Sequence, residues 1–317
     1  MQLEDSLRVP RMRMLLVVVL AMTVGSAATA LAQESLSVET AVRTWFTTGS
    51  TTDTISVRGL NPLSELRWRG TDAVIVEGSA EVMWRRILGR LTVGGGRPHT
   101  GAFIDDDFLL DDHQGRFSHT RSAVDGSRII YVAADVGYRV LEWTMPAGPG
   151  ALDLFLGYQY WNEKYVSFGL RGGGPGLVEP IGVPSSTEVQ TEDITWHSAR
   201  LGARARAPLI GGLSARGEFM FLPFTETRRD DIHHLRTDLR QDPSFEFSAS
   251  GGHGYQIDVG LTYRVWRELS VDAGYRYWRL ESGTGRNVVR GVAGTSVSDA
   301  EIETERYGPY IGLRYRF

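Results

Sequence analysis

The chain has 317 residues, a formal net charge of −4, 37 glycines, and 12 Phe, 12 Tyr and 8 Trp. It has no cysteine, which excludes a disulfide framework and a thiolate metal site. The small charge imbalance gives no case for nucleic-acid binding, and the basic residues are nearly all arginine.

The chain begins with a basic region, Arg8, Arg11 and Arg13, followed by an apolar run from Leu15 to Val24 that is too short for an ordinary membrane helix. Ala30-Leu31-Ala32 then supplies a small-x-small cleavage site. Residues 1–32 are therefore expected to be a signal peptide cut after Ala32, and residues 33–317 to form the mature domain. No later stretch is long and apolar enough to be a membrane helix.

From Val38 onward apolar and polar residues alternate. Val132, Val136, Tyr138 and Val140 enclose Asp135 and Arg139. Leu152, Leu154, Leu156, Tyr158 and Tyr160 oppose Asp153, Phe155, Gly157 and Gln159. Leu201, Ala203 and Ala205 alternate with Arg200, Arg204 and Arg206. Tyr255, Ile257, Val259, Leu261 and Tyr263 repeat the pattern, as do Leu269, Val271, Ala273, Tyr275 and Tyr277 around Asp272, Gly274 and Arg276. The last segment alternates Tyr307, Pro309, Ile311, Leu313, Tyr315 and Phe317 against Arg306, Gly308, Gly312, Arg314 and Arg316.

In a strand, period 2 sends alternate residues to opposite faces. Here one face suits lipid, while the other is small or charged. A soluble barrel would invert that arrangement. Only a closed sheet satisfies every backbone group in lipid. The expected fold is thus all-β: a transmembrane antiparallel β-barrel of about ten strands with long extracellular loops.

The strands fall near 39–50, 63–85, 87–98, 127–145, 151–171, 192–207, 211–226, 246–265, 269–283 and 302–317, the second interrupted by a bulge at Gly70-Thr71-Asp72. Arg85-Arg86, Pro146 to Gly150, Pro208 to Gly212 and Trp266 to Glu268 read as short periplasmic turns. Several strands exceed the roughly 9–11 residues that cross a bilayer, so the barrel should project outward.

Two predicted loop segments carry candidate chemistry: Ile104-Asp105-Asp106-Asp107-Phe108, and Arg229-Asp230-Asp231-Ile232-His233-His234. Crowded carboxylates raise one another's pKa and can share a proton. An aspartate beside a histidine orients it as a base toward water. Residues i and i+2 share a face, so Asp105 with Asp107, and Asp231 with His233, can both point inward. The same residues also read as solvated acidic loops. Asp105, Asp107, Asp111 and Asp112 raise calcium binding as a further option, without EF-hand spacing.

The mature chain resembles the omptin family of outer-membrane proteases, which are ten-stranded barrels. Ser64-Glu65-Leu66-Arg67-Trp68 is similar to an S-x-L-x-W segment of the second strand. Asp105-Asp106-Asp107-Phe108 resembles the family's D-x-D and following aromatic residue. Gly157-Tyr158-Gln159, Tyr165, Ser167-Phe168 and Arg171-Gly172-Gly173 resemble its fifth strand. Asp231-Ile232-His233 resembles its D-x-H, with Asp242-Pro243 beyond, and Gly312-Leu313-Arg314-Tyr315-Arg316-Phe317 its closing G-L-x-Y-x-F.

The resemblance implies an aspartyl-type (Asp–His) endopeptidase that needs no metal or cofactor. Asp231 and His233 would activate a water, and Asp105 and Asp107 would position it. The substrates implied are peptides and proteins outside a Gram-negative outer membrane, with the site facing outward. Outer-membrane lipid and lipopolysaccharide are the other partners implied, lipopolysaccharide being the one accessory that activity could require. Tyr160 and Lys164 are its candidate contacts.

The sequence departs from the family at Arg229, which stands where an acid helps to bind a basic substrate side chain. Asp53 is the candidate for a second substrate-binding acid. A non-catalytic barrel with an adhesive or structural role is the main alternative, and a small pore or lipid-modifying enzyme another. N-terminal sequencing of protein from the outer-membrane fraction should begin at Gln33; recovery in the soluble periplasm would contradict the barrel.

Overall fold

The computed structural model describes residues 36–173 and 182–317. The expected signal peptide and cleavage site lie outside them. Thirteen strands follow one another. They are β1 (Leu36–Val57), β2 (Leu60–Arg69), β3 (Ala73–Trp84), β4 (Ile87–Pro98), β5 (Ala102–Phe108) and β6 (Arg116–Met145). Then come β7 (Gly148–Gly172), β8 (Val183–Ile210), β9 (Leu213–His233) and β10 (Phe245–Trp266). The last three are β11 (Leu269–Glu281), β12 (Gly285–Arg290) and β13 (Thr295–Arg316).

All pairings between strands are antiparallel, and β13 returns to pair with β1, so that the ladder forms a ring. The lower ring runs β1-β3-β4-β6-β7-β8-β9-β10-β11-β13. In the upper ring β2, β5 and β12 replace β3, β4 and β11. Each ring has the expected ten staves.

Three staves are broken, at 70–72, 99–101 and 282–284. The first break corrects the expected bulge: β2 and β3 pair separately with β1, through Ser50–Arg69 and Thr47–Ala73. Buried Thr71 fills the gap. Its amide and hydroxyl both donate to the Gly49 carbonyl, at 3.1 and 3.0 Å. Arg306 donates to the Thr71 carbonyl at 2.8 Å.

The four turns at the lower end lie where the sequence places them. Gly211 and Gly212 both have left-handed φ, +56° and +86°, which a tight two-residue hairpin requires. At the upper end the strands run further than alternation predicts, β6 through 30 residues and β8 through 28. Much of the predicted long-loop sequence is therefore strand. Above the membrane both faces meet water, so the ladder continues after the hydrophobic alternation has gone.

The outer wall exposes Val42, Val76, Val136, Leu156, Leu201, Val259 and Ile311. The lumen holds ion pairs: Arg43–Asp272 (2.7 Å), Arg90–Glu218 (2.6 Å), Arg204–Glu81 (2.6 Å), Arg276–Glu77 (2.7 Å) and Arg139–Asp153 (2.8 Å). They leave a cavity of only about 50 Å³. This narrow, filled lumen counts against the pore alternative.

Above the ion pairs lies an aromatic layer. Trp278 contacts Trp45, Tyr131 and Trp161 at centroid distances of 5.2, 5.0 and 5.1 Å. The Arg276 guanidinium sits 5.1 Å from both Trp45 and Trp278, a cation–π contact joining the two layers. Higher still, Trp68 stacks on Phe103 (4.9 Å) and Tyr165 (5.6 Å). The upper cleft therefore has an aromatic floor.

Facing assigns different tolerances to charge. Val259→Lys, on the lipid wall, should cost about 2–4 kcal/mol if it sits at the bilayer midplane. It should lower the yield of folded, heat-modifiable barrel on cold electrophoresis. Ser270→Glu, at the wet lower mouth beside Arg314 and Arg316, should leave that yield nearly unchanged. Equal yields would mean the faces are reversed.

Candidate active site

Two strands on facing walls of the upper cleft carry the candidate groups. On β5, Phe103 points inward onto Trp68, so Asp105 and Asp107 share its inward face and Asp106 points outward. The three aspartates thus belong to a strand rather than the predicted loop. Asp106 is buried on the outer side by Arg67, Arg116 (3.2 Å) and His119 (2.6 Å). On β9, Arg229, Asp231 and His233 share the inward face, again on a strand and not in a loop.

The register explains why these positions are fixed. β5 is held between β2 and β6, with Asp105 opposite Leu66 and Thr120. The end of β9 is held between β8 and β10, with Asp231 opposite Glu192 and Phe245. A slip of one residue in either strand would turn both acids outward.

Nδ1 of His233 lies 3.2 Å from Oδ2 of Asp231. The other carboxylate oxygen of Asp231 accepts a 3.1 Å hydrogen bond from Nε2 of Gln190. Oγ of buried Ser244 accepts the His233 amide at 3.1 Å, and the Phe245 ring lies 4.9 Å from the imidazole. Ser64 Oγ donates to Oδ1 of Asp105 at 3.3 Å. The imidazole is 20% exposed, enough to meet water, whereas Asp231 is enclosed.

The charges of the two pairs act on one another across the cleft. Burial, and then the negative charge of Asp107, push Asp105 up to about 7, while His233 opposes the rise. Burial alone would pull the His233 imidazole down, but the Asp231 carboxylate outweighs it, with help from Asp105, and the net shift is upward from 6.5.

Beneath this pair, Arg229 Nη2 donates to Oδ2 of Asp53, its Nε lies 3.4 Å from Oε1 of Glu192, and its Nη1 lies 4.0 Å from Oδ2 of Asp231. Asp53, Glu192 and Arg229 are all enclosed. Burial pushes Asp53 up to about 6 against the pull of Arg229, and pushes Glu192 well above the usual carboxylate range.

The structure thus brings Asp105, Asp107, Asp231 and His233 within range of one another's charge. It places the Arg229 guanidinium against Asp53, the expected substrate-binding acid. Gln190, Ser244, Phe245 and Glu192 were missed by sequence reasoning. The signal for Gln190 and Glu192 is their cross-strand register with His233 and Asp231, which pattern alone does not supply.

Tyr160 and Lys164 stand on the outer wall of β7, away from the cleft. Tyr160 lies edge-on to His197 at 5.5 Å, and Lys164 pairs in register with Arg128 and Asp193.

No family model matches the chain, and no curated protein sequence matches it. Among solved structures it is similar to the outer-membrane protease OmpT from Escherichia coli, an omptin. The TM-score is 0.74 at 15% identity, covering 90% of this chain and 99% of that one. The likeness establishes the fold, an outer-membrane β-barrel. The translocator domain of the autotransporter NalP from Neisseria meningitidis matches at TM-score 0.35 and 10% identity, covering 94% of this chain and 95% of that one. The outer membrane protein OprG from Pseudomonas aeruginosa matches at 0.37 and 10%, covering 88% and 95%.

Titration of the His233 imidazole by NMR in micelles should give a pKa above 6.5. Asp231→Asn removes the carboxylate beside it, so the pKa should fall, leaving burial dominant. An unchanged value in the variant would mean that the Asp231 charge does not set the histidine's proton affinity.

Proposed function

We propose that the protein is an outer-membrane endopeptidase that hydrolyses exposed peptides and proteins with a water activated by Asp231 and His233, opposite Asp105 and Asp107. The observation that carries this reading is the Asp231–His233 contact of 3.2 Å on one wall of a wet cleft, with a carboxyl pair on the facing wall. The cleft stands on the part of the barrel opposite the four short turns. In the outer membrane of a Gram-negative bacterium, that end faces the exterior.

The chemistry follows from the proton positions. With the proton on Nδ1, 3.2 Å from the Asp231 carboxylate, Nε2 is free to take a proton from water. The water oxygen bonds to the peptide carbonyl carbon, and the carbonyl electrons move to its oxygen. Protonated Asp105 donates a hydrogen bond to that oxyanion, and burial beside Asp107 keeps the proton on Asp105 near neutral pH. The oxyanion then collapses, the C–N bond breaks, and His233 returns its proton to the leaving amine. Water is the nucleophile throughout, so no acyl-enzyme forms. The groups that move protons all belong to the chain, so this reading requires no metal or cofactor.

Lipopolysaccharide would act from outside, against Tyr160 and Lys164 on the outer wall, by holding the projecting strands in register. The OmpT likeness in fold and the order of the matched motifs support the same reading.

Refolded with lipopolysaccharide, the protein should cleave peptides from a diverse library. His233→Ala should reduce kcat by about 10²–10⁴-fold, the usual contribution of a general base. His234, which instead contacts Thr191 and Glu188 at 2.9 Å, is the control, and His234→Ala should remain active. The base must be neutral and Asp105 protonated, so the rate should climb as pH rises through the elevated His233 pKa and fall again as Asp105 loses its proton. Chelators and serine-directed reagents should have no effect. Equal activity in the two histidine variants, or no cleavage by the wild type, would defeat the assignment.

A further inference from the structure

The enclosed recess under the Asp231–His233 pair holds two carboxyl groups from different walls, Asp53 of β1 and Glu192 of β8. A cation offsets charge on a carboxyl pair at this depth, where burial removes the water that would otherwise stabilise it. The cation is Arg229, which reaches across from β9, donates to Asp53 and lies 3.4 Å from Glu192. The Phe247 ring, 5.9 Å from its guanidinium carbon, closes the recess from β10. The same guanidinium lies 4.0 Å from the Asp231 carboxylate that contacts His233. The recess is therefore a cation site directly below the candidate reacting groups, and it is filled by the chain's own side chain.

We infer that Arg229 is a built-in occupant of this recess and a specificity-determining residue, so that the wild-type site takes peptides whose side chain over the recess is uncharged and rejects arginine and lysine there. The inference rests on the endopeptidase reading only for its peptide arm. A basic side chain entering at this point would find Asp53 bonded to Arg229, Glu192 3.4 Å from it, and a guanidinium facing it in a poorly screened environment. Repulsion of this kind is a strong basis for discrimination. Removal of the Arg229 side chain would leave a space of guanidinium size between two carboxyl groups. A planar cation fits that space through paired charge-assisted hydrogen bonds.

The test uses butylguanidine, a small cation, and butylurea, its uncharged counterpart, titrated calorimetrically into the refolded barrel. Wild type should bind neither. Arg229→Ala should bind butylguanidine at least about tenfold more tightly than butylurea, the minimum expected from one charge-assisted contact. Adding Asp53→Asn should weaken that binding. Saturable binding of butylguanidine to wild type, or no binding to a folded Arg229→Ala, would overturn the inference.

If Arg229→Ala does not fold by itself, refolding in butylguanidine but not in butylurea supports the inference, and failure in both refutes it. In the peptide arm, wild-type cleavage products should be depleted in Arg and Lys at one position beside the cut. Enrichment there would refute the assignment. If wild type cleaves nothing, the endopeptidase reading fails, while the calorimetric result still decides whether Arg229 fills a cation site.

Discussion

Closure of the hydrogen-bonded ring is the constraint from which the rest of this structure follows. In lipid a free strand edge would leave a row of backbone groups without partners, so β13 must pair with β1. Closure turns half of every strand's residues inward, into a space too narrow to solvate them. Charges placed there must neutralise one another, and they do so across the lumen and not only between neighbouring strands. Arg276 reaches Glu77 and Asp258, Arg90 reaches Asp135 and Glu218, and Arg204 reaches Glu81 and Asp153. Removing one member would leave its partner buried and unpaired, at a cost of about 3–5 kcal/mol. The network therefore makes the lumen a solid core built from charge rather than hydrocarbon.

The aromatic layer divides this core from the cleft above. Below it, carboxylates are fully matched by arginines. Above it they outnumber the cations near them: Asp105, Asp107, Asp53, Glu192 and Asp231 share one cleft with Arg229 and His233. Burial, with the neighbouring negative charge added to it, lifts the proton affinities of Asp105, Asp53 and Glu192, while the Asp231 carboxylate lifts that of His233 against its burial. The same fold thus leaves one half with its charges matched and the other with buried carboxyl groups in excess of the cations beside them. This division is the physical basis for placing chemistry at the upper end.

Much of the fold was legible because lipid imposes a strict code. Val136 beside Asp135, or Val271 beside Asp272, can be arranged in only one way around a membrane barrel. The four turns and ten staves follow from that alternation. The code lapses where water lies on both sides. There, segments such as Asp105-Asp106-Asp107 look like loops, although cross-strand hydrogen bonds keep them extended. The catalytic candidates were legible from spacing, since i and i+2 share a face. Their surroundings were not. Gln190 and Glu192 meet β9 through register, and Asp53 meets Arg229 from 176 positions away in the chain. Nothing local to Asp53 announces that its charge is already neutralised. The break at Thr71 was misread as a bulge for a related reason, since its partner Arg306 lies near the other end of the sequence.

The placement of the two pairs on separate staves has a consequence for the protein's route to the membrane. Asp105 and Asp107 belong to β5, Asp231 and His233 to β9, and three full strands separate them around the ring. In an unfolded chain the halves are more than a hundred residues apart, and neither half alone can bind and activate a water. On the proposed reading, the reacting groups come together only on insertion, when the last strand meets the first.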